Sequence, residues 1–302
     1  VVRNMQKAYN QFSDVLSNPS LVLLEADILT TINIDESIDY IIHGASVTDS
    51  ASFVTTPVDT IRTAITGTEN MLELARRHQV KGFLYLSSLE IYGVTDPDLE
   101  TILETDSGYL DPMSVRSSYS ESKRMVECLC VAYLKQYQVP IRIARLTQTF
   151  GPGVSYQDNR VFAQFARAII EGQDIVLKTL GETVRSYCYT MDAVHALFYI
   201  LLNGISGEAY NVANKTTAIS VREMAELVLE LDGRKRSKLI FDIAENPEQL
   251  GYNPVVKIRL DTSKLESLGW KAEVGLTDMY RRLISSMKSE YLQSGGDGCQ
   301  QN

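Results

Sequence analysis

The sequence lacks the features that take a chain into a membrane or onto nucleic acid. Its longest apolar run, Ala193 to Leu202, is shorter than the ~18 residues that span a bilayer and is interrupted by His195. The N-terminus has no signal-peptide pattern. The formal net charge of −9 gives no electrostatic reason to bind nucleic acid or an anionic membrane surface. We therefore expect a globular cytoplasmic protein.

Cysteine is scarce as well, with four residues in 302. Their positions show neither metal-ligand spacing nor a disulfide framework. Two of them lie two residues apart on a predicted helix and so point to different faces. We expect no metal site and four reduced thiols, at Cys128, Cys130, Cys188 and Cys299.

Short apolar runs alternate with amphipathic helical stretches over the first half of the chain. This alternation predicts a parallel sheet covered by helices on both faces, an α/β fold. The strand candidates are Leu21 to Leu24, Asp39 to His43, Phe83 to Leu86 and Ile141 to Leu146, and the helices are Thr60 to His78 and Ser118 to Tyr137.

The rhythm changes after Gly151-Pro152-Gly153, where helices are predicted near Arg160 to Gly172 and Asp192 to Asn203. A further helix begins after Ser220, with Glu223 as its capping-box partner. We expect one domain over 1–150 and a smaller, interleaved lobe over 151–302, from which some segments return to the first domain. The tail, Ser294 to Gly298, has the composition of a disordered segment.

Tyr119 and Lys123 are the first residues that point to chemistry. Positions four apart share a helix face, so the phenol and the ammonium would lie together. A nearby ammonium favours the phenolate and so makes tyrosine a better general base. A solvated helix face is the alternative interpretation of this pair alone.

Polar and small residues also follow two of the predicted strands. Ser87-Ser88 follows one strand, and His43-Gly44-Ala45 ends another. Open α/β sheets bind ligands at the carboxyl edge of their strands. Together with the Tyr119–Lys123 pair, these segments favour a ligand site over ordinary turns.

With these motifs the sequence resembles the extended short-chain dehydrogenase/reductase family of nucleotide-sugar epimerases, dehydratases and decarboxylases. The resemblance implies a Rossmann-type doubly wound parallel sheet that binds NAD, a nucleotide-diphosphate sugar as substrate, and a homodimer. It covers nearly the whole chain, over Asp27-Ile28, His43 to Ala45, Gly67 to Asn70, Ser87 to Gly93, Tyr119 to Lys123, Arg145 to Gly153, Arg185 to Asp192, Tyr210 to Val212 and Asp261 to Trp270.

The resemblance also implies roles for individual residues. Tyr119 would remove the proton of the sugar 4-hydroxyl, Lys123 would tune it and hold the nicotinamide ribose, and Ser88 would bond the same sugar oxygen. The residues that would line the cofactor are Asp27, Ile28, His43, Gly44 and Ala45. Those expected at the substrate are Gln148, Arg185 as the diphosphate-binding arginine, and Lys257. For Arg185 a surface ion pair is the alternative.

The family's glycine-rich turn, which places a pyrophosphate on a helix N-terminus, is absent from the sequence. Val1 to Asn4 resembles the end of the second strand, so we expect about 30 residues of a βαβ unit to precede it. Arg3 lies where NAD-preferring proteins usually have an acidic residue, which makes NADP the alternative to NAD.

Leu89 and Glu90 discriminate among the reactions of the family. Its 4,6-dehydratases have an Asp-Glu pair here, and Leu89 cannot donate a proton to a leaving hydroxyl. Glu90 without the aspartate is similar to UDP-glucuronate decarboxylases, whose 4-keto sugar is a β-keto acid that loses carbon dioxide readily. The alternatives are a 4-epimerase, a 4-ketosugar reductase and a non-catalytic nucleotide-sugar or dinucleotide sensor. Glu90 as a solvated loop carboxylate is the structural alternative.

A last expectation concerns the helix of Tyr119 and Lys123, which forms dimer contacts in the family. An apolar stripe on it would serve either the dimer or the core of the chain. Its members are Met125, Leu129, Val131 and Leu134.

Overall fold

A computed structural model describes residues 1–233, 236–245 and 255–293. The tail predicted to be disordered and Cys299 lie outside these residues. The chain divides into two compact units, each built from two stretches of sequence. The first unit comprises residues 1–86 and 111–142, and the second comprises residues 87–110 and 143 onward. The chain passes between them three times, after residues 86, 110 and 142, and the first and last of these points lie inside strands.

The first unit combines a few parallel strands with two long helices. Its elements are α1 (Met5–Gln11), β1 (Tyr40–His43), α2 (Ser52–Thr55), α3 (Pro57–His78), β2 (Gly82–Ser88, counted here to Leu86), α4 (Ser117–Tyr137) and the start of β3 (Ile141–Leu146).

The long helices α3 and α4 pack against each other, as their apolar stripes predict. Pro57 lies in the first turn of α3, where its missing N–H costs nothing, and three basic residues occupy the last turn. Leu72 and Leu74 of α3 and Val126 of α4 are buried. Both predicted helices are therefore confirmed to within a few residues.

Strands β1 and β2 run parallel, with His43 opposite Tyr85. The expectation that both faces of the sheet are covered is wrong for β1, where Tyr40 and Ile42 are 45% and 42% exposed. Only the face of Ile41 and His43 is buried. An all-apolar run cannot show in advance which of its two faces is covered.

The strand predicted over Leu21 to Leu24 is also wrong, because this segment forms no regular strand. Val2 N donates to Leu24 O and Val2 O accepts from Ala26 N, which makes one isolated parallel bridge. Val22 is 81% exposed. The apolar run therefore takes part in a single isolated bridge, at its end.

The second unit contains three small groups of strands and five helices within the described residues. Strand β6 lies between β10 and β4, both parallel to it, and also pairs with β8 antiparallel; β3 pairs with β7, and β5 with β9. These elements are the end of β3, β4 (Gln148–Phe150), α5 (Val161–Glu171), β5 (Ile175–Leu177), β6 (Val184–Tyr189), α6 (Thr190–Asn203), β7 (Ala209–Val212), β8 (Asn214–Ser220), α7 (Val221–Glu230), β9 (Leu239–Phe241), β10 (Lys257–Ile258), α8 (Ser263–Glu266) and α9 (Leu276–Gln293).

Helices α5, α7 and α9 enclose the main core of the second unit, around Phe150, Phe162 and Tyr280. The capping box predicted at α7 is confirmed: the Ser220 side chain accepts from Glu223 N, and the Glu223 carboxylate accepts from Ser220 N. Across the described residues, none of the helices combines the length and apolar character needed to cross a bilayer.

The described cysteines are all free thiols. Cys128 is exposed and Cys130 is buried, as their spacing on α4 predicts. Cys188 is buried in β6.

Candidate active site

Helix α4 places Tyr119 and Lys123 on one face in the first unit. The Lys123 ammonium donates a hydrogen bond of 2.8 Å to the carbonyl oxygen of Leu86, near the end of β2. It lies 4.7 Å from the ring centroid of Tyr85 and 5.7 Å from that of Tyr119. Lys123 is 3% exposed. The two residues therefore form a buried phenol–ammonium pair rather than a solvated helix face.

Burial sets the electrostatics of this pair. It lowers the pKa of Lys123 to about 8, and the negative charge of Glu127, one turn further along α4, opposes that shift. Burial also raises the pKa of Tyr85 well above its usual value, so this phenol stays neutral. The Lys123 ammonium therefore lies against the neutral phenol ring of Tyr85.

His43 ends β1, and its Nε2 lies 3.0 Å from the hydroxyl oxygen of Thr68 on α3. Burial, and then the positive charge of Lys123, lower the pKa of His43 to about 4. The imidazole is therefore neutral at physiological pH. A second cation beside Lys123 is avoided.

The backbone after His43 is open to a ligand. Gly44 and Ala45 are exposed, and a Cβ on Gly44 would lie only 2.9 Å from Leu86 Cδ1. A side chain at Gly44 would therefore crowd the strand end that Lys123 contacts. In the described part of the chain, the Lys123 ammonium has one hydrogen-bond acceptor, so two of its donors remain for a ligand. These residues fit the ribose and backbone contacts of a dinucleotide.

Asp27 and Ile28 lie on a loop that is held to α3. Asn70 Nδ2 donates a hydrogen bond of 2.8 Å to Ile28 O. The Asp27 carboxylate accepts from Leu29 N at 2.9 Å, which fixes the turn. Arg3 is exposed, immediately before the Asn4 cap of α1. The loop is thus preorganised, whereas the Arg3 side chain extends into solvent.

Ser88 and Glu90 lie in the second unit. Ser88 ends β2 and caps a turn of 3-10 helix over Leu89–Tyr92, which carries Glu90. Ser88 Oγ accepts a hydrogen bond of 3.2 Å from Glu90 N, so its own proton is directed elsewhere. Both side chains are half-buried.

Tyr92 anchors this turn in a buried polar network. Its hydroxyl donates to Asn211 Oδ1 at 2.6 Å and accepts from Arg145 at 3.0 Å. Asn211 in turn donates to the carbonyls of Ile102 and Asp261. The network fixes the carboxylate-bearing turn against β3 and β7.

Gln148 and Arg185 lie on the neighbouring strands β4 and β6. Gln148 Oε1 and Arg185 Nε are both buried, and among the described residues neither atom has a hydrogen-bond partner. Such orphan polar atoms are unfavourable unless a ligand or water satisfies them. Lys257, on β10, lies opposite Val184 of β6. It therefore shares the sheet face of Val184 and not that of Arg185.

The sequence analysis did not identify two residues that act on the pair on α4, one by stacking and one by its charge. Phe53 stacks on the Tyr119 ring with centroids 4.3 Å apart, and no local pattern connects these distant positions. Glu127 is 9% exposed and follows Lys123 by four residues. That spacing repeats the one between Tyr119 and Lys123, so it was a signal that could have identified Glu127.

A family model described as the NAD dependent epimerase/dehydratase family matches residues 4–213 of this chain. The chain belongs to the NAD-dependent epimerase/dehydratase family. The resemblance inferred from the motifs is confirmed, and the protein is an NAD-dependent enzyme of this family.

Two curated relatives of this epimerase/dehydratase chain are UDP-glucuronic acid decarboxylases. Decarboxylase 6 of Arabidopsis thaliana is 33% identical over 259 residues, which cover 81% of this chain and 73% of the relative. Decarboxylase 1 of Xenopus tropicalis is 29% identical over 275 residues, 91% of this chain and 62% of the relative.

A solved structure shows the fold of the family. The UDP-glucuronic acid 4-epimerase of Bacillus cereus, in complex with NAD, superposes with a TM-score of 0.76 and 20% identity. The match covers 93% of this chain and 85% of the epimerase. The predicted Rossmann-type α/β fold is therefore confirmed.

Proposed function

We propose that this enzyme oxidises the C4 hydroxyl of a nucleotide-diphosphate sugar, and that its reaction is the decarboxylation of UDP-glucuronate. The observation that carries the proposal is the buried Tyr119–Lys123 pair, with the ammonium fixed at Leu86 O. Glu90 next to Leu89 and the names of the relatives support decarboxylation.

The residues of the first unit divide the work of binding and proton transfer. Tyr119 accepts the proton of the 4-hydroxyl, and the Lys123 ammonium stabilises the phenolate and bonds the ribose of the cofactor. Gly44 and Ala45 admit the cofactor to the strand ends, and Asp27 and Ile28 flank its adenine. NAD, when bound, supplies the ring that accepts and returns hydride. NADP is the alternative that Arg3 allows.

The residues of the second unit bind the sugar nucleotide. Ser88 donates its free proton to the C4 oxygen, and Glu90 faces the sugar carboxylate region. Arg185 offers a guanidinium fork to the diphosphate and Gln148 an amide, which would satisfy their orphan buried atoms. A contact of Lys257 with the diphosphate stays a prediction. Its position on β10 places it on the sheet face of Val184, opposite the face of Arg185.

The proposal extends to the cytoplasm as location and to a homodimer through α4. Met125 and Val131 are 55% and 44% exposed, and Leu129 and Leu134 are half-buried. None of the four is buried in the chain, which favours the dimer interpretation. Sedimentation equilibrium measures the assembly directly.

The test is incubation of the protein with UDP-glucuronate, UDP-glucose and UDP-N-acetylglucosamine, with and without added NAD. The products are identified by mass spectrometry and proton NMR. Of the three substrates, we expect only UDP-glucuronate to lose the mass of carbon dioxide. An unchanged mass with an inverted C4 proton would assign a 4-epimerase instead. No change in any substrate would move the assignment to a reductase or a sensor.

Tyr119→Phe is the decisive variant, because it removes the proton acceptor and leaves the ring. We expect its turnover to fall by about 100-fold or more, with binding of the nucleotide sugar retained. Tyr133→Phe is the matched control, because it removes a phenol hydroxyl from the same helix that bonds Glu73, at 2.8 Å, and has no role in the proposed reaction. Equal turnover in the two variants would contradict the assigned role of Tyr119.

A further inference from the structure

Three residues at the start of α4 converge on a single residue of the short helix α2. Ser118 Oγ donates a hydrogen bond of 2.9 Å to Phe53 O. The Tyr119 ring stacks on the Phe53 ring at 4.3 Å between centroids and 13° between planes. The Arg116 guanidinium carbon lies 4.7 Å from the Phe53 centroid. Phe53 is 2% exposed.

These contacts constrain Phe53 and the Tyr119 ring together. Helix α2 has four residues and so little stability of its own, which means that packing against α4 must hold it in place. A ring stacked nearly parallel on a fixed neighbour cannot turn about its side-chain bonds without losing that contact. The direction of the Tyr119 hydroxyl is therefore set by Phe53 as much as by α4.

We propose that Phe53 is a positioning residue, which holds the Tyr119 phenol in the orientation needed for proton transfer from the substrate hydroxyl. This inference rests on the proposed role of Tyr119 as the proton acceptor. Proton transfer requires heavy atoms about 2.6–3.2 Å apart. A displacement of about 1 Å lowers the rate by about 100-fold.

The chain contains a matched control for loss of an aromatic stack. Phe150 and Phe162 stack at 4.5 Å and 13° in the core of the second unit. Phe162→Leu removes a buried stacked ring of the same geometry that has no part in the proposed site. It separates lost stability from lost orientation.

The experiment measures kcat, KM and the melting temperature of Phe53→Leu, Phe53→Met, Phe53→Tyr and Phe162→Leu. We expect Phe53→Leu and Phe53→Met to lower kcat by about 10- to 100-fold with KM unchanged. Phe53→Tyr keeps the ring and should restore most of kcat. Phe162→Leu should lower the melting temperature and leave kcat unchanged. If Phe53→Leu does not fold, Phe53→Met, which keeps the volume, provides the result.

A second readout needs no substrate and so distinguishes this inference from the proposed function. In protein labelled with 3-fluorotyrosine, the fluorine signal absent from Tyr119→Phe belongs to Tyr119. We expect this signal to broaden or split in Phe53→Leu and to stay single in Phe162→Leu. A single unshifted signal, or a wild-type kcat, in the two non-aromatic variants would overturn the role of Phe53. Failure of the wild type to convert any nucleotide sugar would overturn only the proposed function.

Discussion

Lys123 carries a positive charge in a place where burial works against it. Its pKa of about 8 means that the ammonium loses its proton just above physiological pH, although a solvated lysine would keep it. The Glu127 carboxylate limits that loss. The pKa of the ammonium on which Tyr119 depends therefore lies only slightly above physiological pH, which leaves a narrow margin.

This margin predicts an alkaline limit to turnover. As pH rises through about 8 the ammonium becomes neutral, the phenolate loses its counter-charge, and kcat should fall. Glu127→Gln removes the opposing carboxylate, so its alkaline limb should lie at lower pH than that of the wild type. Rate profiles between about pH 6 and about pH 10, which include the region around the pKa of Lys123, provide the measurement. Identical limbs in the two proteins would contradict this account.

Glu90 is the residue whose substitution should separate binding from reaction. Glu90→Gln keeps the shape of the side chain and removes its charge, so we expect slower release of carbon dioxide with little change in nucleotide-sugar affinity. Glu100→Gln, an exposed carboxylate of the same chain segment, is the control. Carbon dioxide release and calorimetric binding are the two measurements. Equal rates for both variants would leave Glu90 as a solvated loop carboxylate.

The side chains at this scale were only partly predictable. The spacing of Tyr119 and Lys123 determines a shared helix face, because the helix repeat is a local property. The Phe53 stack depends on a contact between distant positions, which no local pattern encodes. Placement of Lys257 on the face opposite Arg185 depends on strand pairing, which the sequence alone does not define.

At the scale of elements, the turn that carries Glu90 depends on how it ends. Gly93 follows the turn with φ 64° and ψ −146°, a conformation that essentially only glycine adopts. A Cβ there would lie 2.4 Å from Tyr109 O. The exit from the turn is thus specified by the absence of a side chain.

Gly93→Ala should lower the free energy of unfolding by about 2–3 kcal/mol or more, since backbone strain and a clash with a carbonyl oxygen add. Gly153→Ala is the control, with φ 88° and no atom within 4 Å of the new Cβ, so it bears strain without a clash. Urea unfolding of both variants measures the difference. Equal costs would show that the Tyr109 backbone yields to the methyl group.

The elements themselves followed well from the sequence where a helix repeat or a cap was present. Helices α3, α4 and the capped α7 show a periodic stripe or a local hydrogen-bonding pair. Strands were harder to predict than helices. Leu21 to Leu24 has the composition of a strand, yet the segment takes part in a single isolated bridge. Strand formation needs a partner from elsewhere in the chain.

At the scale of the whole molecule, His43 links folding to acidity. Its pKa of about 4 in the folded protein lies below its value of 6.5 in an unfolded chain. Well above pH 6.5 the imidazole is neutral in the folded and the unfolded protein, so it does not make the free energy of unfolding depend on pH. As pH falls from 6.5 toward 4, only the unfolded chain takes up the proton, so stability is lost.

The loss from this single group should approach about 3 kcal/mol near pH 4. His43→Asn should therefore flatten the decline of unfolding free energy between pH 6.5 and 4, relative to the wild type. His195→Gln alters an exposed imidazole and should leave the decline unchanged. Denaturant melts at a series of pH values decide between the two. Parallel curves for the wild type and His43→Asn would contradict the prediction.

The two-stretch construction of each unit has a consequence for synthesis. Residues 87–110 leave the ribosome long before residues 143 onward, with which they form the second unit. Leu89, Ile91, Tyr92 and Ile102 are buried against Ala213, Ile258 and Leu260, which are translated much later. During translation this apolar segment has no core to join, so it is the part of the nascent chain that chaperones would be expected to bind first.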